Sequence, residues 1–233
     1  IMVKSRYCTT NLLKGKENQE CKYDPGCYFI INGNEKVIIG LEKISNNKIL
    51  FFKKKDITFP ENYTYTSQIN SKYEGYNENI QILSIKMKKD LSIYVQTMIF
   101  NEVPLFIFLR ALGFETDKEI FEKIVHNLED NEMINILKYS VNKILFDQTK
   151  PKGDDNIEIN TQEDAIRYLI SKLRGNIRFN EESEELQYIQ KKIRVNQILE
   201  NDILPHMGSD ILNKAHFISL MVNKYLQVYL NRT

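Results

Sequence analysis

The sequence has 233 residues, of which 42% are hydrophobic and 27% are charged, and its formal net charge at pH 7 is +1. These values are typical of globular domains and argue against a disordered chain. The low net charge does not favour a chain that coats nucleic acid, and no apolar run reaches the roughly 18–20 residues that a membrane span needs. We therefore expect one large domain or two small ones, with no membrane partner.

Positive charge is concentrated near the start of the chain. Residues 1–55 contain eleven Lys or Arg and five Asp or Glu. Phosphate groups are contacted mainly through Lys and Arg, so four lysines are candidates to lie near DNA: Lys36, Lys53, Lys54 and Lys55. A lysine run that is only solvated remains the alternative.

The first 55 residues are predicted to be rich in β-structure. Residues 28–31 form a short apolar run, and residues 35–39 are predicted to return as the second strand. Asn32-Gly33 lies between them and predicts a tight hairpin turn, because both residues tolerate positive φ. Another strand is predicted over residues 48–53. Residues 1–4 read as the middle of a strand, so we expect a piece of a longer polypeptide.

The next region is predicted as a polar loop followed by a hairpin. Residues 56–79 are rich in Tyr, Asn and Ser, which favours a loop with at most one edge strand. Leu83, Ile85 and Met87 then alternate with polar residues, as in a half-buried strand. A second strand over residues 93–99 follows a turn at residues 89–90.

A helix is predicted directly after Pro104. Proline suits the first helical position, where its missing N–H is not needed, and Gly113 can close the helix in the left-handed conformation. The spacing predicts one buried face, formed by Leu105, Phe108, Leu109 and Leu112.

The remaining sequence is predicted to be mostly helical. Its helices are expected over residues 117–128, 131–146, 161–174, 184–201 and 209–230. The predicted N-caps are Asp117, Asp130 or Asn131, Thr161 and Ser209. Thr161 and Asp164 resemble a capping box.

No catalytic, cofactor or metal site is predicted in this sequence. It contains no known catalytic motif and no glycine-rich phosphate loop. A zinc site usually needs four ligands in paired short spacings. The three cysteines and three histidines lack that spacing: Cys8, Cys21, Cys27, His126, His206 and His216. We expect reduced cysteines in an intracellular protein.

Four blocks of the sequence carry a specific resemblance. They are CKYDPGCYFIINGNEKVII (21–39), VPLFIFLRALG (103–113), ILPHMG (203–208) and KAHFISLMVNK (214–224). In the same order they resemble blocks of the second-largest subunit of multisubunit DNA-directed RNA polymerases of the eukaryotic, archaeal and large-DNA-virus type. Cys27 departs from the family pattern, which has a glycine there. Heavy use of Ile, Asn and Lys suggests an A+T-rich genome, which favours a viral or protist enzyme.

The resemblance implies an α+β fold. Residues 1–42, which include the hairpin, would be the end of the protrusion domain. Residues 43–233 would be the lobe domain, with a small antiparallel sheet and a mostly helical C-terminal half. These domains would form one wall of the downstream-DNA cleft and contain no catalytic residue, while the parent nucleotidyltransferase would bind its Mg and Zn elsewhere.

The resemblance also implies partners and a location. The partners would be the largest polymerase subunit, the remainder of its own subunit, and downstream duplex DNA. A zinc-ribbon small subunit and an F-type initiation factor would dock on the lobe. The location would be the nucleus or, for a virus, a cytoplasmic transcription site or the virion. An independent nucleic-acid-binding or protein-interaction module with a lobe-like fold is the alternative.

Overall fold

The computed structural model describes residues 5–8, 21, 23–53, 63–73, 75, 79–88, 90–148, 159–173 and 184–232. The chain divides into two compact units, Ile1–Ile44 and Ser45–Thr233. No helix in the described ranges is long and apolar enough to span a bilayer.

In the part of the chain that the structure describes, the strands precede the helices, which confirms the α+β class. Within the described ranges the strands are β1 Phe29–Ile31, β2 Asn34–Lys36, β3 Ile49–Lys53, β4 Tyr63–Ser71, β5 Gln81–Lys88, β6 Ile93–Thr97 and β7 Val103–Pro104. The α-helices are α1 Leu105–Ala111, α2 Asp117–Ile124, α3 Asn131–Gln148, α4 Gln162–Ser171, α5 Glu184–Gln197 and α6 Ile211–Tyr229.

The first unit contains the predicted hairpin. Strands β1 and β2 pair antiparallel, and the turn residues Asn32 and Gly33 have φ values of 50° and 76°. The second strand ends at Lys36 instead of residue 39. Residues 37–39 are exposed apolar side chains that pair with no described strand, and a hairpin of two strands is marginal by itself.

A five-stranded antiparallel sheet in the order β3-β4-β5-β6-β7 forms one layer of the second unit. The prediction of a loop with at most an edge strand was wrong for residues 63–71, because β4 lies inside the sheet between β3 and β5. The sequence of β4 is polar because hydroxyl residues take buried positions in it. Those residues are Thr66, Ser67 and Ser71.

The alternating pattern of β5 is confirmed. Leu83, Ile85 and Met87 are all buried in the hydrophobic core. The following strand ends at Thr97, so Ile99 lies beyond it, contrary to the predicted range 93–99.

Helix α1 lies at the centre of the core. Pro104 is its N-cap, whereas the prediction placed Pro104 at the first helical position. Gly113 has the expected positive φ of 113°. The predicted inward residues are buried, but Phe106 and Ile107 are buried as well. The helix contacts β6 and β7 as well as α2, α3 and α4. A single buried face was therefore too narrow a prediction.

Side-chain caps fix most helix starts, and two differ from prediction. Thr116, not Asp117, caps α2, and Asp210, not Ser209, caps α6. Asp130 receives a hydrogen bond from the Met133 N–H at 3.3 Å, as a cap of α3 should. The capping box of Thr161 and Asp164 is present.

Helix ends are less well predicted than their starts. Helix α2 ends at Ile124 instead of residue 128, and α5 ends at Gln197 instead of residue 201. A π-helical turn, Ile198–Asp202, takes over directly after α5.

A buried lysine holds this π-helical turn. Lys214 of α6 is fully buried, and its ammonium donates to the carbonyl oxygens of Leu199 at 3.1 Å and Glu200 at 2.5 Å. Carbonyl oxygens at a helix end need such donors when water is excluded. Lys214 therefore joins the end of α5 to the start of α6.

The block ILPHMG connects the helical layer to the sheet. The Nδ1 atom of His206 lies 2.7 Å from Ser71 Oγ on β4, and the His206 backbone N–H donates to the same oxygen at 3.4 Å. The ring also packs edge-on against Phe217 at 5.5 Å. The Ser71 hydroxyl can donate to Nδ1 only while Nδ1 carries no proton.

We expect this contact to weaken in acid. Burial lowers the pKa of the His206 imidazole below 6.5, and the Lys214 ammonium lowers it further. The unfolded chain then binds more protons than the folded chain as pH falls through about 6.5, so stability declines there. The test measures the urea midpoint at about pH 7.5 and at about pH 5.5 in the wild type and in His206→Asn. The midpoint should fall less in His206→Asn than in the wild type, because the Asn amide oxygen can accept from Ser71 at either pH. An equal decline in both proteins would refute this role; His126→Asn, at an exposed position, is the control.

Candidate nucleic-acid interface

Topology brings separate lysines to one end of the sheet. Strands β3 and β5 both pair antiparallel with β4, so they run in the same direction and end at the same side. Strand β3 ends at Lys53 and strand β5 ends at Lys88. Lys86 lies two residues before Lys88, so both side chains are on the same face of β5. We call Lys53, Lys86 and Lys88 the basic end of the sheet.

Aromatic side chains accompany these lysines. The Lys53 ammonium lies 5.4 Å from the Tyr65 ring centroid, and the Lys88 ammonium lies 4.1 Å from that of Tyr94. Lys88 also forms an ion pair with Glu102 at 3.1 Å. The exposed Lys53 has no carboxylate partner within the described part of the chain. The positive charge of Lys53 is therefore less compensated than that of Lys88.

Helix α6 packs against Tyr65, the aromatic neighbour of Lys53. Tyr229 packs edge-on against Tyr65 with ring centroids 5.4 Å apart, and the buried Tyr225 hydroxyl donates to the Tyr65 carbonyl oxygen at 3.2 Å. Burial raises the pKa of Tyr225, so the hydroxyl keeps its proton. Tyr65, whose ring the Lys53 ammonium faces, is thus fixed to the core.

The four lysines predicted to lie near DNA do not all lie in one compact unit of the structure. Lys53 lies in the basic end, while Lys36 is exposed on β2 in the other unit. Lys54 and Lys55 lie outside the described residues. Sequence reasoning missed Lys86 and Lys88, because lysines that alternate with buried residues were interpreted only as the solvated face of a strand.

The described residues contain no group of three or more His, Cys, Asp or Glu that could hold a metal ion. Cys21 and Cys27 are exposed and Cys8 is half-buried, and all three are free thiols. The lysines of this surface can attract anions, and its tyrosine rings can stack on aromatic or base rings.

Comparison with known proteins adds independent information. The family model described as RNA polymerase Rpb2, domain 2, matches residues 38–233. The DNA-directed RNA polymerase subunit 2 of Acanthamoeba polyphaga mimivirus is 32% identical over 238 residues, which cover 99% of this chain and 19% of that protein. The RNA polymerase II subunit RPB2 of Encephalitozoon cuniculi is 32% identical over 240 residues, which cover 100% of this chain and 19% of that protein.

An archaeal relative shows the same partial coverage. The DNA-directed RNA polymerase subunit Rpo2 of Sulfolobus acidocaldarius is 29% identical over 214 residues, which cover 90% of this chain and 16% of that protein. The chain therefore spans about a fifth of the length of the curated relatives it matches.

Proposed function

We propose, since this chain belongs to the family of second-largest subunits of DNA-directed RNA polymerases, that it is a non-catalytic part of such a polymerase and forms one wall of the cleft that holds downstream DNA. The observation that supports the DNA-facing role is the basic end of the sheet. A rigid surface with lysines at its rim suits a duplex backbone, which is bound through its phosphates.

Lys53, Lys54 and Lys55 are proposed to face these phosphates, and Lys86 and Lys88 add positive charge at the same end of the sheet. Lys36 is a further candidate on the hairpin. Phosphate contacts position a duplex without reading its sequence. The wall would therefore hold any downstream sequence equally well, as transcription requires.

Replacing Lys53, Lys54 and Lys55 by alanine in the polymerase should flatten the salt dependence of DNA binding. Each phosphate contact that is lost lowers the slope of log affinity against log salt by about 0.9. The measurement is DNA affinity between about 50 and 200 mM salt, with duplexes of two unrelated sequences.

Lys48→Ala is the matched control, because this exposed lysine precedes β3 at the opposite end of the same strand. It should leave the slope unchanged. A triple variant with the wild-type slope would return the three lysines to the solvated-surface interpretation.

The same proposal includes partners. The largest polymerase subunit and the remainder of its own subunit would hold the domain in place, and a zinc-ribbon small subunit and an F-type initiation factor would dock on the lobe. The site of action would be the nucleus, or a cytoplasmic transcription site or virion if the polymerase is viral. Mg and Zn of the complex would be bound by other segments.

The isolated 233-residue chain should show no nucleotidyl transfer. This reaction needs metal ions held by clustered carboxylates, and such a cluster is absent from the described ranges. Incubation of purified chain with template, nucleoside triphosphates and magnesium should give no RNA above a buffer blank. Template-dependent RNA that survives rigorous removal of contaminating polymerase would refute the proposed role.

A further inference from the structure

Strand β3 is an edge strand with one side open. Its inner side pairs with β4 from Ile49 opposite Ile69 to Lys53 opposite Tyr65. No strand in the described ranges pairs with its outer side. The outward backbone N–H and C=O groups of alternate β3 residues can therefore pair with another extended segment.

This edge lacks most of the features that block such pairing. Edge strands are commonly protected by proline, by a bulge or by short length. The sequence of β3 is ILFFK, and its five residues pair with β4 in an uninterrupted register. The Phe52 side chain is 41% exposed, so it offers an apolar contact to a neighbouring strand on the same face.

The protection that remains is charge at the two ends. Lys48 and Lys53 are both exposed and flank the apolar centre of the strand. If two copies of β3 paired antiparallel about Phe51, each Lys53 would lie opposite Ile49 of the other copy and one position from its Lys48. Each end of the paired strands would then carry two lysines, one from each copy. Like charges this close repel each other, so the edge disfavours a second copy and favours a strand with acidic ends.

We propose that the open edge of β3 binds an extended segment of a partner polypeptide by strand addition, with β-branched or aromatic side chains at the centre of that segment and acidic side chains near both ends. The inference rests on the proposed docking function and specifies its chemistry. Backbone hydrogen bonds would supply most of the affinity, and the contact with Phe52 and the charges of Lys48 and Lys53 would select the partner.

The test uses a peptide of this chemistry on the complete 233-residue chain. The end-blocked peptide Glu-Val-Thr-Val-Thr-Val-Glu is titrated into ¹⁵N-labelled chain, and amide shifts and hydrogen exchange are recorded. Saturable shifts and slowed exchange are expected over residues 49–53. The peptide Glu-Val-Thr-Pro-Thr-Val-Glu should produce neither, because proline cannot donate to the ladder. Absence of shifts at β3 up to millimolar peptide, or shifts confined to other residues, would overturn the proposal.

A charge exchange tests the selection step. Lys48→Glu should weaken the acidic peptide about threefold and strengthen Lys-Val-Thr-Val-Thr-Val-Lys to a similar extent, as expected for an exposed ion pair. Because Lys48 is exposed, the variant should keep the wild-type amide spectrum outside β3. A variant that binds both peptides as the wild type does would refute the charge selection.

Two other occupants give distinct results. Protection of residues 49–53 by duplex DNA but not by the peptide would assign the edge to DNA, and protection that rises with chain concentration alone would assign it to a second copy. Either outcome overturns the proposal. In the polymerase, Lys48→Glu should leave the salt slope unchanged. If the peptide does not bind but the lysine triple variant flattens the salt dependence as expected, only strand addition is refuted. If the peptide binds but the triple variant keeps the wild-type slope, only the DNA-facing proposal is refuted.

Discussion

Leu109→Ala is expected to lower the free energy of unfolding of the 233-residue chain by about 2–5 kcal/mol. Leu109 is completely buried, and its helix α1 contacts strands β6 and β7 and helices α2, α3 and α4. The void left by the substitution is enclosed by several elements and cannot easily close. We therefore expect a cost within the range for enclosed Leu-to-Ala cavities.

The measurement is urea unfolding of both proteins with a common slope of free energy against denaturant. Leu128→Ala is the control, because Leu128 is 57% exposed and its loss should change stability by less than about 0.5 kcal/mol. A loss of this small size at Leu109 would mean that α1 is not packed as described.

Lys214→Met should destabilise the chain by about 1–3 kcal/mol, because it leaves the buried carbonyl oxygen of Leu199 without its donor and removes the partly buried hydrogen bond to Glu200. Methionine has a similar length and no charge, so packing is largely kept. The expected result is a lower urea midpoint and faster amide exchange in the π-helical turn Ile198–Asp202.

The matched control is Lys224→Met, at an exposed position of the same helix. It should leave both measurements nearly unchanged. An Ile198–Asp202 exchange rate that is equal in Lys214→Met and wild type would show that another group holds the turn.

The pH dependence gives a second readout for Lys214. Burial lowers the pKa of Lys214 to about 8 from 10.5, although the carboxylates of Glu200, Asp202 and Asp210 oppose this change. Between about pH 8 and 10.5 the unfolded chain therefore binds more protons, and stability of the wild type rises with pH relative to Lys214→Met. A constant difference across this window would contradict the assignment.

Local signals in the sequence were sufficient for several elements. Asn32-Gly33 predicted the hairpin, the alternation of Leu83, Ile85 and Met87 predicted β5, and the capping box at Thr161 predicted the start of α4. In each case the deciding interaction joins residues close together in the chain. The family resemblance was also readable from ordered blocks of sequence, and the comparisons confirm it.

Tertiary structure decided what depends on residues far apart in sequence. The polar strand β4 is an inner strand because β3 and β5 flank it. The basic end exists because the antiparallel order brings Lys53 to the same end of the sheet as Lys86 and Lys88, although on the opposite face. Lys214 and His206 have structural roles because their polar atoms meet partners supplied by other elements. Local patterns determine which segments form strands and helices, whereas packing determines which polar groups are buried and which charges lie together.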